Sequence, residues 1–179
     1  PPTEDFPLTL EEVEKLLDNP QIRCLGEVMN FKELISEDDT LIRQIIALCK
    51  KKRPLLPLEG HCPKISGADL AKFIASGVNA DHTQQTPESI VEKITNGMYL
   101  EMQGKSIQED TIRTLMEHQF YEYFSLVTDD VMPDHFLHGH LNQVLLSAVR
   151  CGLPMEKAIY CSTFTSARRM HLDDRGVIA

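Results

Sequence analysis

No run in the chain approaches the roughly 18–20 consecutive apolar residues that a membrane helix requires. The opening residues, Pro1-Pro2-Thr3-Glu4-Asp5, have neither the charged nor the apolar region of a secretory leader. CxxC pairs are missing as well. The five cysteines, Cys24, Cys49, Cys62, Cys151 and Cys161, are odd in number and widely spread, which argues against a disulfide framework or a zinc ribbon. A reducing, cytoplasmic setting is expected. Positive charge is scarce: the formal charge is -9 and the pI is near 5.2, so a nucleic-acid binder that works by neutralising phosphates is not expected. The longest basic run, Lys50 to Arg53, falls at a predicted helix end, where the helix dipole favours cations. GxGxxG and GxxxxGK[ST] do not occur, which removes the usual phosphate-binding signatures.

What is present is an ordinary globular composition. Hydrophobic residues make up 42% and charged residues 25% of 179 residues, enough for one domain with a sizeable core. Thr9-Leu10-Glu11-Glu12 matches a capping box, and Leu10, Val13, Leu16 and Leu17 follow at helical spacing, predicting a helix that ends near Asp18. Residues 22–29 read as a buried strand containing one carboxylate, Glu27. A helix is predicted from about Asp38 to Lys51, with Leu41, Ile42, Ile45, Ile46 and Leu48 inward and Pro54 as its stop.

The alternation then repeats. Strands are predicted at 55–59, 77–80, 98–102 and 123–127, and helices at 66–75, from Thr86 to Gly97, and at 107–118, 141–149 and 155–162. Thr86-Pro87-Glu88 is a strong helix start, and Gly97 is a typical stop. Five strands separated by helices imply βαβ units on a parallel sheet, because parallel neighbours need a crossover. A doubly wound sheet and a (β/α)8 barrel both fit.

The polar residues able to bind metal or move protons cluster at strand ends. Glu27 lies in or at the end of its strand, His61 follows Leu58-Glu59-Gly60, His82 follows Ala80-Asp81, and Asp129 follows Val127-Thr128. In α/β folds this end of the sheet holds the active site. Taken singly, a buried glutamate reads equally as half of a structural ion pair, and a strand-end histidine reads as a structural residue. Four such residues on successive strand ends form a set suited to zinc, iron or manganese. His135, His138 and His140 read as the start of a surface helix rather than a metal group, and Cys62 as an inert buried thiol rather than a ligand or nucleophile. Asp130 is either a group that orients a ligand or a helix cap, and Arg168-Arg169 with Asp173-Asp174-Arg175 read as solvated charge.

Gly26-Glu27-Val28-Met29-Asn30, Glu59-Gly60-His61-Cys62-Pro63, Ala80-Asp81-His82, Leu126-Val127-Thr128-Asp129-Asp130, Gly139-His140-Leu141 and Asp174-Arg175-Gly176-Val177-Ile178-Ala179 occur in the order found in one family. Together they resemble the adenine deaminases of the amidohydrolase superfamily. The resemblance implies a metal-bearing (β/α)8 barrel beside a smaller β-rich domain, and hydrolysis of adenine to hypoxanthine and ammonia. It implies Glu27 as a bridging metal ligand and catalytic group, His61 and His82 as ligands, and Asp129 as both ligand and proton carrier. A divalent metal (Mn, Fe or Zn), held in a two-metal site in the intact protein, and a small purine substrate are implied with it. A homo-oligomer is expected, with neither nucleic acid nor membrane as partner.

The family carries an HxH pair at its first barrel strand, and none precedes Glu27 here. Residues 1–179 are therefore expected to form a single partial barrel domain that begins after the first strands and ends before the small domain. Such a fragment is expected to be inactive alone, with open sheet edges covered by a second chain, by its own N-terminal segment or by lattice contacts. Two alternatives stay open: another amidohydrolase acting on a cyclic amide or amino-heterocycle, and a metal-free α/β module in which the four residues are structural.

Overall fold

The computed structural model describes residues 8–36 and 38–178, so the opening proline-rich residues and Ala179, the last residue of the closing motif, lie outside it. Helix α1 (Leu10–Leu17) starts as its capping box dictates: the Glu12 amide donates to Thr9 Oγ1 at 3.3 Å, and the Thr9 amide to Glu12 Oε2 at 2.8 Å. Strand β1 (Leu25–Val28) begins three residues later than the apolar run suggests. The Gln21 amide donates to Asn19 Oδ1 and the Ile22 amide to the Asn19 carbonyl, so a turn occupies the start of that run.

Helix α2 (Phe31–Ile35) was not expected. It is barely more than one turn, and its C-terminal carbonyls are held by Arg43, which donates to the carbonyls of Glu33, Leu34 and Ser36. A cation from α3 (Leu41–Lys52) thus supplies what so short a helix lacks. In α3 the inward residues are Ile45, Ile46 and Cys49, whereas Leu41, in the first turn, is exposed. The basic residues Lys50, Lys51 and Lys52 fill its last turn.

Strand β2 (Leu58–Gly60), α4 (Gly67–Ser76), β3 (Ala80–Asp81), α5 (Pro87–Thr95), β4 (Tyr99–Met102), α6 (Glu109–Glu117) and β5 (Phe124–Leu126) continue the alternation. After a 3-10 segment at Pro133–His138 come α7 (Leu141–Arg150) and α8 (Met155–Arg169). Helix α8 runs seven residues beyond its predicted end, because no proline or glycine interrupts the chain before Gly176.

All strand pairs are parallel, in two ladders ordered β1-β2 and β3-β4-β5, as the βαβ reading requires. The two ladders abut at Gly60. A Cβ there would lie 2.5 Å from the Ala80 carbonyl oxygen and 2.5 Å from Val78 Cγ1, so only glycine lets β2 and β3 come this close. The core falls into two clusters. One gathers Val28, Leu34, Ile46, Leu58, Leu70 and Phe73; the other gathers Ile90, Leu100, Met102, Ile112, Phe124 and Leu126. In β4, Leu100 and Met102 are buried in that second cluster while Tyr99 and Glu101, which alternate with them, are only half-buried. No helix among the described residues is long and apolar enough to cross a membrane.

Candidate metal centre

Three of the four strand-end residues converge. His61 Nδ1 lies 2.9 Å from Glu27 Oε1, and His82 Nε2 lies 3.4 Å from the same oxygen. The two imidazole nitrogens are 3.3 Å apart. Donors held tetrahedrally at about 2.0–2.2 Å from one cation sit roughly 3.3–3.6 Å from one another, so the trio is close to the spacing a single ion imposes. Among the described residues it is the one group of carboxylate, imidazole or thiol donors that converges in this way.

Local structure explains the aim of each donor. In β1, Leu25 pairs with Leu58 and Val28 with Gly60, so three steps on β1 match two on β2. The extra residue makes a bulge at Gly26–Glu27 that breaks the regular alternation of side chains, and Glu27 lies within it. His61 directly follows β2, and its amide donates to the Val28 carbonyl at 3.3 Å, continuing the ladder for one more residue. His82 directly follows β3; its carbonyl accepts from Gln103 Nε2 at 2.7 Å, which ties it to the end of β4. Its ring meets that of His61 edge-on at a centroid distance of 5.1 Å.

Behind the histidines lies a fully buried ion pair. Asp81 Oδ2 accepts from Lys93 Nζ at 2.7 Å, from Gln85 Nε2 at 2.6 Å and from Thr83 Oγ1 at 2.7 Å, while Oδ1 accepts from the Cys62 amide at 2.9 Å. Burial by itself raises the Asp81 carboxyl, but the Lys93 ammonium and these hydrogen bonds outweigh it and hold the group at about 2. Cys62 is buried, and burial together with the Asp81 carboxylate pushes its thiol well up, as an inert thiol requires.

A second polar group occupies the strands themselves. Glu59 on β2 is paired with Arg169 of α8, and both side chains are only 12% exposed, so Arg169 is not the solvated charge that was expected. Burial and then the Glu59 carboxylate push Glu101 up to about 7, against the opposing pull of His82 and Arg169. Arg168, with Glu122, and Arg175, with Asp174, form exposed pairs as anticipated.

Asp129 stands apart from the trio. It is exposed, lies just past β5 with a φ of 61°, and its Oδ1 accepts from the Asp130 amide at 2.7 Å. Asp130 is exposed, and the cap position of the 3-10 segment that follows belongs to Met132. His135, His138 and His140 are exposed and, with Thr128, Val131 and Gln143, line a hollow beyond β5. An apolar groove lined by Ile159, Phe164, Met170, Leu172 and Val177 among others shares no residue with the trio.

Lys93 and Gln85 lie outside the motifs, and Asp81 lies within one, Ala80-Asp81-His82, that pointed to the histidine alone. One signal was available for Lys93, which shares the buried stripe of α5 with Ile90 and Ile94.

No family model matches the chain. Curated proteins do. It is 58% identical over 172 residues to adenine deaminase 2 of Oenococcus oeni, 55% identical over 172 residues to adenine deaminase of Clostridium perfringens, and 52% identical over 170 residues to adenine deaminase of Lactobacillus delbrueckii subsp. bulgaricus. These alignments take in 95–96% of the chain, and the chain spans about 30% of the length of each relative. Along nearly its whole length, then, the chain is similar to one stretch of the adenine deaminases.

Proposed function

We propose that residues 1–179 form part of an incomplete (β/α)8 barrel of amidohydrolase type, and that the intact protein hydrolyses adenine to hypoxanthine and ammonia. The observation that carries this reading is the convergence of Glu27, His61 and His82 from three successive strand ends, within 4.8 Å of one another. Parallel strands that deliver ligands at their C-terminal ends are what such a barrel uses. The names of the relatives supply the substrate class.

Glu27, His61 and His82 would hold a divalent metal, and manganese, iron and zinc all accept this mixture of nitrogen and oxygen donors. When bound, such a metal makes a water nucleophilic near neutral pH. The attack is on the ring carbon bearing the amino group. Asp129, beyond β5 at the same end of the sheet, is the acid–base group in this reading: it accepts a proton from the attacking water and returns it to the leaving ammonia. A second metal ion would draw on Glu27 together with donors beyond the trio.

The test is turnover by the intact protein, loaded in turn with manganese, iron and zinc and followed through the ultraviolet absorbance of adenine. Conversion to hypoxanthine that disappears in Glu27→Gln and in Asp129→Asn is the expected result. Metal uptake without turnover of adenine would overturn the substrate, and no uptake with any of the three metals would overturn the chemistry.

A further inference from the structure

Asp81 is the only carboxylate among the described residues with no exposed surface, and each of its oxygens is engaged. Oδ1 accepts from the Cys62 amide at 2.9 Å and the Thr83 amide at 3.3 Å; Oδ2 accepts from Thr83 Oγ1, Gln85 Nε2 and Lys93 Nζ. Cys62 follows His61 and Thr83 follows His82. One oxygen therefore holds the backbone directly behind both imidazoles, although they come from different strands. This junction is where the hydrogen-bonded ladders are interrupted between β2 and β3, so backbone pairing does not fix the two loops there.

Lys93 locks the carboxylate from behind. It is 1% exposed, and its ammonium also donates to the Cys62 carbonyl at 3.4 Å and Gln85 Oε1 at 3.2 Å. An ion pair this deep is poor evidence for stability, since apolar residues of similar volume often serve as well. Its shape is specific, however: a single acceptor bridges the two ligand loops, and every partner around it is satisfied.

We infer that Asp81, held by Lys93, is a positioning residue that sets the separation of the His61 and His82 imidazoles and so tunes the chain for a divalent cation. The cation half of this inference rests on the metal reading above; the spacing of the imidazoles does not.

The experiment is a Co2+ titration of the full chain, read by visible absorption, together with the imidazole proton and nitrogen resonances of the metal-free chain. Asp81→Ala with Lys93→Met removes the bridging acceptor without stranding a buried ammonium. It is expected to weaken Co2+ binding about tenfold or more, alter the Co2+ spectrum and shift the His61 and His82 resonances. Asp81→Asn with Lys93→Met keeps an acceptor oxygen and is expected to restore binding to within about threefold of the parent. Should the alanine variant fail to fold, Thr83→Val removes the 2.7 Å bond to Oδ2 and a 3.4 Å bond from Gln85 Nε2 but keeps the backbone bond to Oδ1, and is read in the same way, with a loss of about threefold.

Unchanged Co2+ affinity and unchanged imidazole resonances in a folded variant would overturn the inference, leaving Asp81 as core structure alone. A parent chain that takes up no Co2+ counts against the metal reading, and the resonances then decide the positioning role by themselves.

Discussion

Arg169 of α8 reaches across to Glu59 of β2, with its Nε at 3.1 Å and its Nη2 at 3.0 Å from the same carboxylate oxygen, Oε1. The other oxygen, Oε2, is buried without a hydrogen-bond partner among the described residues, where Arg169 is the cation paired with this charge. Removing one member of a buried pair strands the other. Arg169→Met should cost about 3 kcal/mol in urea denaturation, and Glu59→Leu with Arg169→Met should recover to within about 1 kcal/mol of the parent. Equal destabilisation in the single and double variants would contradict this account. Arg168→Ala, which breaks an exposed pair with Glu122, a hydrogen bond to the Glu122 carbonyl and a contact over the Phe164 ring, should cost only about 1 kcal/mol.

Glu101 gives the pH dependence. Its carboxyl is raised from 4.5 to about 7, chiefly by burial and then by Glu59. Between those values the folded chain keeps a proton that the unfolded chain has released, so this group's contribution to stability is lost as pH rises through the window. Glu101→Gln should be close to neutral at pH 4 and stabilising by at least about 1 kcal/mol at pH 8. Thermal melts of both proteins across that range supply the difference curve. A curve that is flat, or that slopes the other way, would remove the proposed cause.

The contact at Gly60 is steric. An alanine there would drive its Cβ to 2.5 Å from the Ala80 carbonyl oxygen, which is backbone and cannot swing aside. Gly60→Ala should destabilise by about 2 kcal/mol, in line with other overpacked cores. Denaturant midpoints test it, and a stability equal to the parent would mean that the two ladders separate more easily than their packing implies.

Metal linkage tests the trio without any substrate. A cation that binds only the folded chain stabilises it by about 2.7 kcal/mol at one hundred times its dissociation constant. Zn2+ should therefore raise the melting temperature, a chelator should reverse the rise, and Glu27→Gln, His61→Ala and His82→Ala should each abolish it. If the histidine variants kept the shift, the ion would be held elsewhere.

The convergence of Glu27, His61 and His82 was legible because strand ends can be read from apolar runs, and such ends face one way in a parallel sheet. The means of convergence were not. A bulge at Gly26–Glu27 is a matter of register between strands 33 residues apart, and no local pattern announces it. Lys93 looks like any solvated helix lysine unless its place on the buried stripe outweighs its charge. Arg169 was misread because the helix carrying it was expected to end at 162, before the chain could bring a cation to β2. Asp129 shows the converse limit: position at a strand end names a candidate and leaves its distance from the others open.

The bulge in β1 separates two properties of Glu27 that are usually confounded, what the side chain is and where it is sent. Exchanging Glu27 for another residue alters the first and leaves the strand its extra residue, whereas deleting Gly26 would leave the carboxylate intact on a shortened strand whose pairing with β2 becomes even. The chain length between Leu25 and Val28 is thus as much a part of the site as the residue it carries. In engineered or naturally varied sequences, a preserved glutamate without that spacing would be the right chemistry delivered to the wrong face.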